Sequence, residues 1–192
     1  MRSPFERRID GGPWGKVLPE DLTTDLMEIG LWLKTSPVPS CVMLAGSGAR
    51  GKLPDEVRGL RAGGKADVLY FLHTFHRVSD WRPGKPEEAP PVLFRHVIRY
   101  ADGRTAEAPV LYGEGVGHWL SREPAGLRSA SVAWAAPFPG DSSGEQAVVY
   151  ALPRPNPRPE VEIASIDMLF GPQGKSHGTP VLLAITAGTR AR

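Results

Sequence analysis

The chain has 192 residues, of which 41% are hydrophobic and 23% are charged, and this composition is typical of one globular domain. A formal net charge of +2, without long runs of lysine and arginine, argues against a nucleic-acid partner. No stretch approaches the roughly 18 apolar residues of a membrane span, and residues 1–10 lack the apolar stretch of a signal peptide. We therefore expect a single domain, residues 1–192, without a membrane partner.

Cysteine, proline and glycine constrain the fold further. Cys41 is the only cysteine, so no internal disulfide can form and the fold must be held together by its core. The 20 prolines and 22 glycines are scattered between apolar runs instead of forming one tract. This distribution is typical of many short strands joined by many turns.

Nine short runs rich in aliphatic, β-branched and aromatic residues predict an all-β chain. Their number and spacing favour a two-sheet antiparallel β-sandwich, arranged as a jelly roll, over alternating β and α units. A short helical turn is predicted at residues 19–27, where Asp21 or Thr23 can act as an N-cap. In chain order the runs are residues 29–34, 40–45, 66–74, 92–100, 104–112, 130–135, 145–152, 161–169 and 180–187.

Two of these runs define the predicted core. Residues 66–74 are nearly all apolar, which predicts a strand at the centre of a sheet, buried on both faces. In residues 92–100 every second side chain is apolar or aromatic, with His96 in this series, and Arg95 and Arg99 lie on the opposite face. We expect this second strand to have one face in the core and one face in water.

A hairpin is predicted directly after residues 92–100. Asp102 and Gly103 stand between two β-type runs, and this dipeptide is typical of a two-residue turn. The partner strand is then residues 104–112. Since Pro109 cannot donate a hydrogen bond to a neighbouring strand, that partner is predicted to lie at a sheet edge.

The sharpest resemblance to a catalytic motif is the sequence GSGARGK at residues 46–52. It matches G-x-G-x-x-G and the first seven positions of a phosphate-binding P-loop. Leu53 stands where the P-loop needs Ser or Thr, and residues 54–61 offer at most two turns of the helix whose N-terminus would hold phosphate. We interpret this segment as a loop between strands.

Other catalytic or metal-binding arrangements gain little support. His73, His76 and Asp80 carry metal-ligating groups, but His73 and His76 are three apart and face opposite sides of a strand. No G-x-S-x-G motif occurs, and Cys41 lies in an apolar run typical of a buried, inert thiol. We therefore predict a protein that is not an enzyme.

Two segments combine aromatic rings with polar groups outside the clear strands. They are residues 76–82 (HRVSDWR) and residues 112–119 (YGEGVGHW). Sugars offer apolar C–H faces and a rim of hydroxyls, so a ring platform edged by polar side chains suits them. The alternative is that Tyr112 and Trp119 close the end of the core, and Trp134 is predicted to be a core residue. The candidate ligand-binding residues are His76, Asp80, Trp81, Glu114, His118 and Trp119.

The whole series of motifs resembles a known family. The succession KADVLYFLHT, YADGRT, YGEGVGHW, ASVAW and NPRPEVEIASIDM is similar to the galactose-binding-like jelly-roll domains of bacterial, planctomycete-type glycoside hydrolases. The resemblance covers residues 5–188. It implies a carbohydrate-binding or accessory role, often with a structural Ca²⁺ ion, but it transfers no ligand residue and no calcium ligand to this chain.

Two functions follow from the sequence. The first is a non-catalytic carbohydrate-binding module of a larger glycoside hydrolase, exported to the periplasm or the cell exterior if that parent enzyme is exported. The second is a structural sandwich that packs against an adjoining catalytic domain, with the proline-rich loops at residues 82–91 and 153–159 as stiff connecting surfaces.

Overall fold

The computed structural model of the chain describes residues 41–47, 53–78, 89–137 and 143–189, and they form an all-β sandwich of two antiparallel sheets. The predicted runs at 29–34 and the helical turn at 19–27 lie outside the described residues. One short helix, α1, spans Gly174–His177. The strands are β1 (Val42–Met43), β2 (Glu56–Arg61), β3 (Val68–Arg77), β4 (Val92–Tyr100), β5 (Thr105–Leu111), β6 (Leu120–Ser121), β7 (Ser131–Pro137), β8 (Gln146–Pro155), β9 (Ile163–Phe170) and β10 (Gly178–Gly188).

The strands are divided between a larger and a smaller sheet. Sheet A has the order β1-β10-β3-β8-β6, and β7 also pairs with β8. Sheet B has the order β2-β9-β4-β5. The prediction of a two-sheet antiparallel sandwich is confirmed, while the jelly-roll connection between the strands stays a prediction.

β3 is buried as its sequence predicts, whereas β4 follows its prediction only in part, because Leu93 and Val97 on the face expected to meet water are also buried. β3 lies between β10 and β8 at the centre of sheet A, and its residues from Phe71 to Phe75 are all buried. In β4 the alternate residues Phe94 and Ile98 enter the main core, while Arg95 and Arg99 remain partly exposed. The main apolar core therefore lies between the sheets, because each supplies one face of apolar side chains to it.

The predicted hairpin is confirmed, but its turn is longer than two residues. Gly103 N donates to Tyr100 O over 3.0 Å, and Gly103 has a φ of +84° whereas Asp102 has no positive φ. This is a three-residue connection whose last residue is left-handed, which glycine tolerates. The partner, β5, is an edge strand of sheet B, as Pro109 predicts.

Two strand predictions need correction. β2 was not predicted, since residues 54–61 were expected to form at most two helical turns; its charged sequence EVRGLR, at the edge of sheet B, gives no apolar alternation. Trp134 is not in the core between the sheets. A β-bulge between Val132 and Trp134 reverses the alternation, so Val132 packs on the main core while Trp134 packs on the opposite face of sheet A.

A single asparagine ties the β4–β5 hairpin to the start of β3. The Tyr100 hydroxyl donates to Oδ1 of Asn156 over 2.5 Å, and Nδ2 of Asn156 donates to the Ala66 carbonyl over 2.8 Å. Oδ1 also accepts from the Arg158 amide over 3.1 Å. Asn156 is buried, so these bonds satisfy polar atoms that water cannot reach.

Gly46 is required for the close contact between two backbone segments. A Cβ atom added there would lie 1.6 Å from the carbonyl oxygen of Gly178, whereas one added at Gly63 meets nothing within 4 Å. We expect Gly46→Ala to destabilise the fold by about 2 kcal/mol or more, because the backbone must move. Thermal melts should show a clearly lower Tm than for the matched variant Gly63→Ala, and equal melting temperatures would contradict this packing.

Candidate functional site

The candidate site forms where two neighbouring strands of sheet A separate. β3 pairs with β8 as far as His73 opposite Tyr150, and the segment carrying His118 and Trp119 enters beyond that point. Trp119 N donates to Phe75 O over 2.9 Å, and Val148 N donates to Trp119 O over 2.8 Å. The segment is therefore bonded to β3 on one side and to β8 on the other, which fixes its position.

This insertion brings together three of the predicted ligand-binding residues, His76, His118 and Trp119. We call them the ring cluster. The ring centroid of His76 lies 6.0 Å from that of His118 and 6.3 Å from that of Trp119, and the His118 and Trp119 centroids are 6.2 Å apart. The ring planes are tilted by 42° to 71° to one another, so the three rings do not form one flat surface.

The imidazole of His118 is held in its neutral form. Nδ1 lies 3.2 Å from the Arg77 amide nitrogen and 3.2 Å from the Phe75 carbonyl oxygen. The Arg77 N–H can only donate, so its bond requires an unprotonated Nδ1, and we assign the ring proton to Nε2. Burial lowers the pKa of His118 to about 4, which favours the same neutral form.

Tyr112 and Trp119 have different surroundings, so only one of them closes the core. Tyr112 packs against the main core, with its ring edge-on to Phe75 at 6.1 Å. Trp119 packs instead with Val181 and Ala147 on the face of sheet A that points away from sheet B. The ring cluster is thus separate from the core between the sheets.

The remaining predicted site residues do not join the ring cluster in the described structure. Glu114 is partly exposed and pairs with Arg128, whose Nη1 lies 3.3 Å from the Glu114 carboxylate. Asp80 and Trp81 lie outside the described residues. His76, which the sequence placed in a loop with them, lies within β3, because that strand continues three residues beyond Thr74.

Two histidines whose proximity the sequence did not predict lie inside the sandwich. His73 on β3 and His96 on β4 are fully buried, with ring centroids 6.2 Å apart. Nε2 of His73 donates to the Gly115 carbonyl over 2.9 Å, while the His96 ring stacks on Phe71 at 4.0 Å. No signal in the sequence could pair them, since they meet across two sheets.

Burial also sets the charge of this histidine pair. It lowers the pKa of His73 to about 4 and the pKa of His96 well below its usual value, and the Arg154 cation acts in the same direction. Both rings are therefore neutral near pH 7. Because His73 faces the core and His76 faces away from it, the two do not share a metal ion.

Within the described ranges, no group of three or more His, Cys, Asp or Glu side chains lies close enough to hold a metal ion. The described residues thus offer no carboxylate cluster for the structural Ca²⁺ ion that the family resemblance implies. The phosphate-loop interpretation also fails, because β2 stands where the motif needs a helix, and Gly46 packs on Gly178. No helix in the described part of the chain has the length and apolar character to cross a membrane.

Comparison with known proteins yields no relative. The chain matches no family model, no curated protein and no solved structure.

Proposed function

We propose that this protein binds carbohydrate without catalysis, as an accessory module of a glycoside hydrolase, and that the ring cluster is its contact surface. The observation that supports this most is the meeting of His76 and His118, 42 positions apart in the sequence. Each lies in a segment whose mixture of rings and polar groups already pointed to sugar. Asp80 and Trp81 follow His76 by four and five positions in the sequence.

The chemistry of the ring cluster suits a sugar better than a charged ligand. Both Nε2–H of His118 and the indole N–H of Trp119 are neutral donors, and the faces of the rings are apolar. A pyranose offers C–H faces and hydroxyl oxygens that match these two properties. A low pKa keeps His118 uncharged, so an anion gains no ionic attraction from it.

The buried groups of the chain agree with a binding role. Burial raises the pKa of the Cys41 thiol to about 12, which removes the reactive thiolate at neutral pH. His73 and His96 have no contact with solvent, so a substrate cannot reach them. Cys41, His73 and His96 therefore lack the reactive form or the access that nucleophilic or general acid–base catalysis requires.

The decisive variant for this proposal is Trp119→Ala, with Trp134→Ala as its matched control. Both residues are partly buried tryptophans on sheet A, but only Trp119 belongs to the ring cluster. We expect Trp119→Ala to weaken retention on the bound polysaccharide at least tenfold, because tryptophans commonly dominate such contacts. Trp134→Ala should retain binding.

Affinity gel electrophoresis across plant, algal and microbial polysaccharides measures this retention. Binding by the unmodified chain that depends on Trp119 and not on Trp134 supports the proposal. Absence of retention on every polysaccharide, or equal losses in the two variants, would overturn it. Each variant is first checked for an unchanged thermal melt, so that a loss of fold is not read as a loss of binding.

The second candidate, a sandwich that packs against an adjoining catalytic domain, is favoured by one observation. Sheet A carries a second apolar surface on the side away from sheet B, formed around Leu72 and Val149. Surfaces of this kind mark protein contacts. A pull-down with the neighbouring domain of the parent protein tests it.

A further inference from the structure

The face of sheet A that points away from sheet B is unusually well buried. We call it the outer face. Its centre is lined by seven side chains from β3, β8 and β10, and all of them are between 0% and 4% exposed. A sheet face that meets water is normally polar and accessible. The seven are Leu72, Thr74, Ala147, Val149, Ala151, Thr179 and Val181.

The described residues do not supply a covering layer for the outer face. The residues that pack against its two apolar clusters come from the strands of sheet A itself, from Cys41 beside β1 and from Trp119 beside β6. Helix α1 contacts β4 and β10 at the end of the sandwich. The buried hydroxyls of Thr74 and Thr179 also have no hydrogen-bond partner among the described residues. Apolar burial and unpaired hydroxyls together indicate that another segment packs here.

We infer that the outer face is the docking surface for the chain's own residues 1–40. That stretch ends directly before Cys41, and Cys41 and Met43 are themselves part of the outer face. Forty residues are enough to cover a six-stranded sheet. The other undescribed stretches have ten residues or fewer.

The sequence of residues 1–40 has the amphipathic character that such a surface requires. Leu22, Leu26, Ile29 and Leu33 recur at intervals of four, three and four residues, with Asp25 and Glu28 between them. Apolar side chains at these intervals can be buried together on one apolar surface. The inference goes beyond carbohydrate binding, because it explains why the outer face is buried. The ring cluster lies at the margin of that face.

Cys41 provides a direct probe of this docking. It is the only thiol in the chain, it lies on the outer face, and burial suppresses its ionisation. In the full chain, we expect Leu26→Asp with Ile29→Asp to raise the rate of Cys41 labelling by Ellman's reagent at least tenfold. The matched variant, Thr24→Asp with Thr35→Asp, adds the same two charges at polar positions and should leave the rate unchanged.

Two results would overturn the inference. One is equal labelling rates in all three proteins. The other is a Cys41 labelling rate that rises when the protein is diluted, together with a dimer detected by light scattering. In that case a second copy of the chain, and not residues 1–40, would cover the outer face.

A second measurement covers the case in which the aspartate variant does not fold. A photo-crosslinking residue at position 26 of the otherwise unmodified chain should link within the same molecule to peptides from β3, β8 or β10. Links to sheet B, or between molecules, would contradict the docking.

Discussion

Acidification from pH 7.5 to pH 5 should lower the free energy of unfolding by at least about 4 kcal/mol, because two fully buried histidines resist protonation and the partly buried His118 adds to the loss. His73 and His96 have folded-state pKa values below the usual 6.5, to about 4 for His73. The unfolded chain therefore binds more protons than the folded chain below pH 6.5. Stability is complete above that pH and is lost as the pH falls towards 4, at about 2 kcal/mol per histidine by pH 5.

Urea titrations at the two pH values measure this loss, and His96→Leu provides the control. Leucine removes one titrating group from the core and the two ring nitrogens that have no hydrogen-bond partner in the described structure. The variant should lose about 2 kcal/mol less on acidification than the unmodified chain. An unmodified chain with the same urea midpoint at both pH values would show that these rings do not remain neutral in the fold.

Replacing Asn156 by alanine should lower the free energy of unfolding by about 3 kcal/mol, the second large effect. The change leaves the Tyr100 hydroxyl and the Ala66 carbonyl without their partner inside the protein. Burial makes that loss costly, since water does not replace the amide. The hairpin between β4 and β5 should then loosen from β3.

Two comparisons isolate the role of the Asn156 amide. Tyr100→Phe removes one of its hydrogen bonds and should cost about 1 kcal/mol. Asp102→Ala removes the exposed ion pair with Arg158 and should have a much smaller effect than Asn156→Ala. Chemical denaturation measures all three variants. If Asn156→Ala and Asp102→Ala lowered the free energy of unfolding by the same small amount, the buried amide would not be what holds the β4–β5 hairpin against β3.

The fold was predictable wherever alternation of side chains controls the structure. β4 has the predicted bounds, because β-forming side chains recur at every second position from Val92 to Tyr100 and a turn dipeptide follows directly. Alternation failed at Trp134, where one bulged residue moves the ring to the other face of sheet A. A bulge of this kind leaves no clear mark in a run of alanine and valine. β2 was missed because an edge strand with one wet face needs few apolar residues.

The sequence predicted which residues belong to the candidate site, but not that they lie close together. Composition singled out His76, His118 and Trp119, since rings beside glycines and polar groups are unusual in a core. Their proximity depends on the insertion of the Trp119 segment between β3 and β8, which is a contact between distant residues. The same limit applies to His73 and His96, which meet across the two sheets.

The central claim is that the ring cluster binds carbohydrate, and the indole N–H signals of the five tryptophans test it most directly. Two-dimensional ¹⁵N–¹H spectra are recorded while the polysaccharide retained in the gel assay is added. The account predicts that the Trp119 indole signal shifts in a saturable way while the Trp134 signal, from the outer face, does not move. Saturable binding in which the Trp119 signal stays in place would contradict the account.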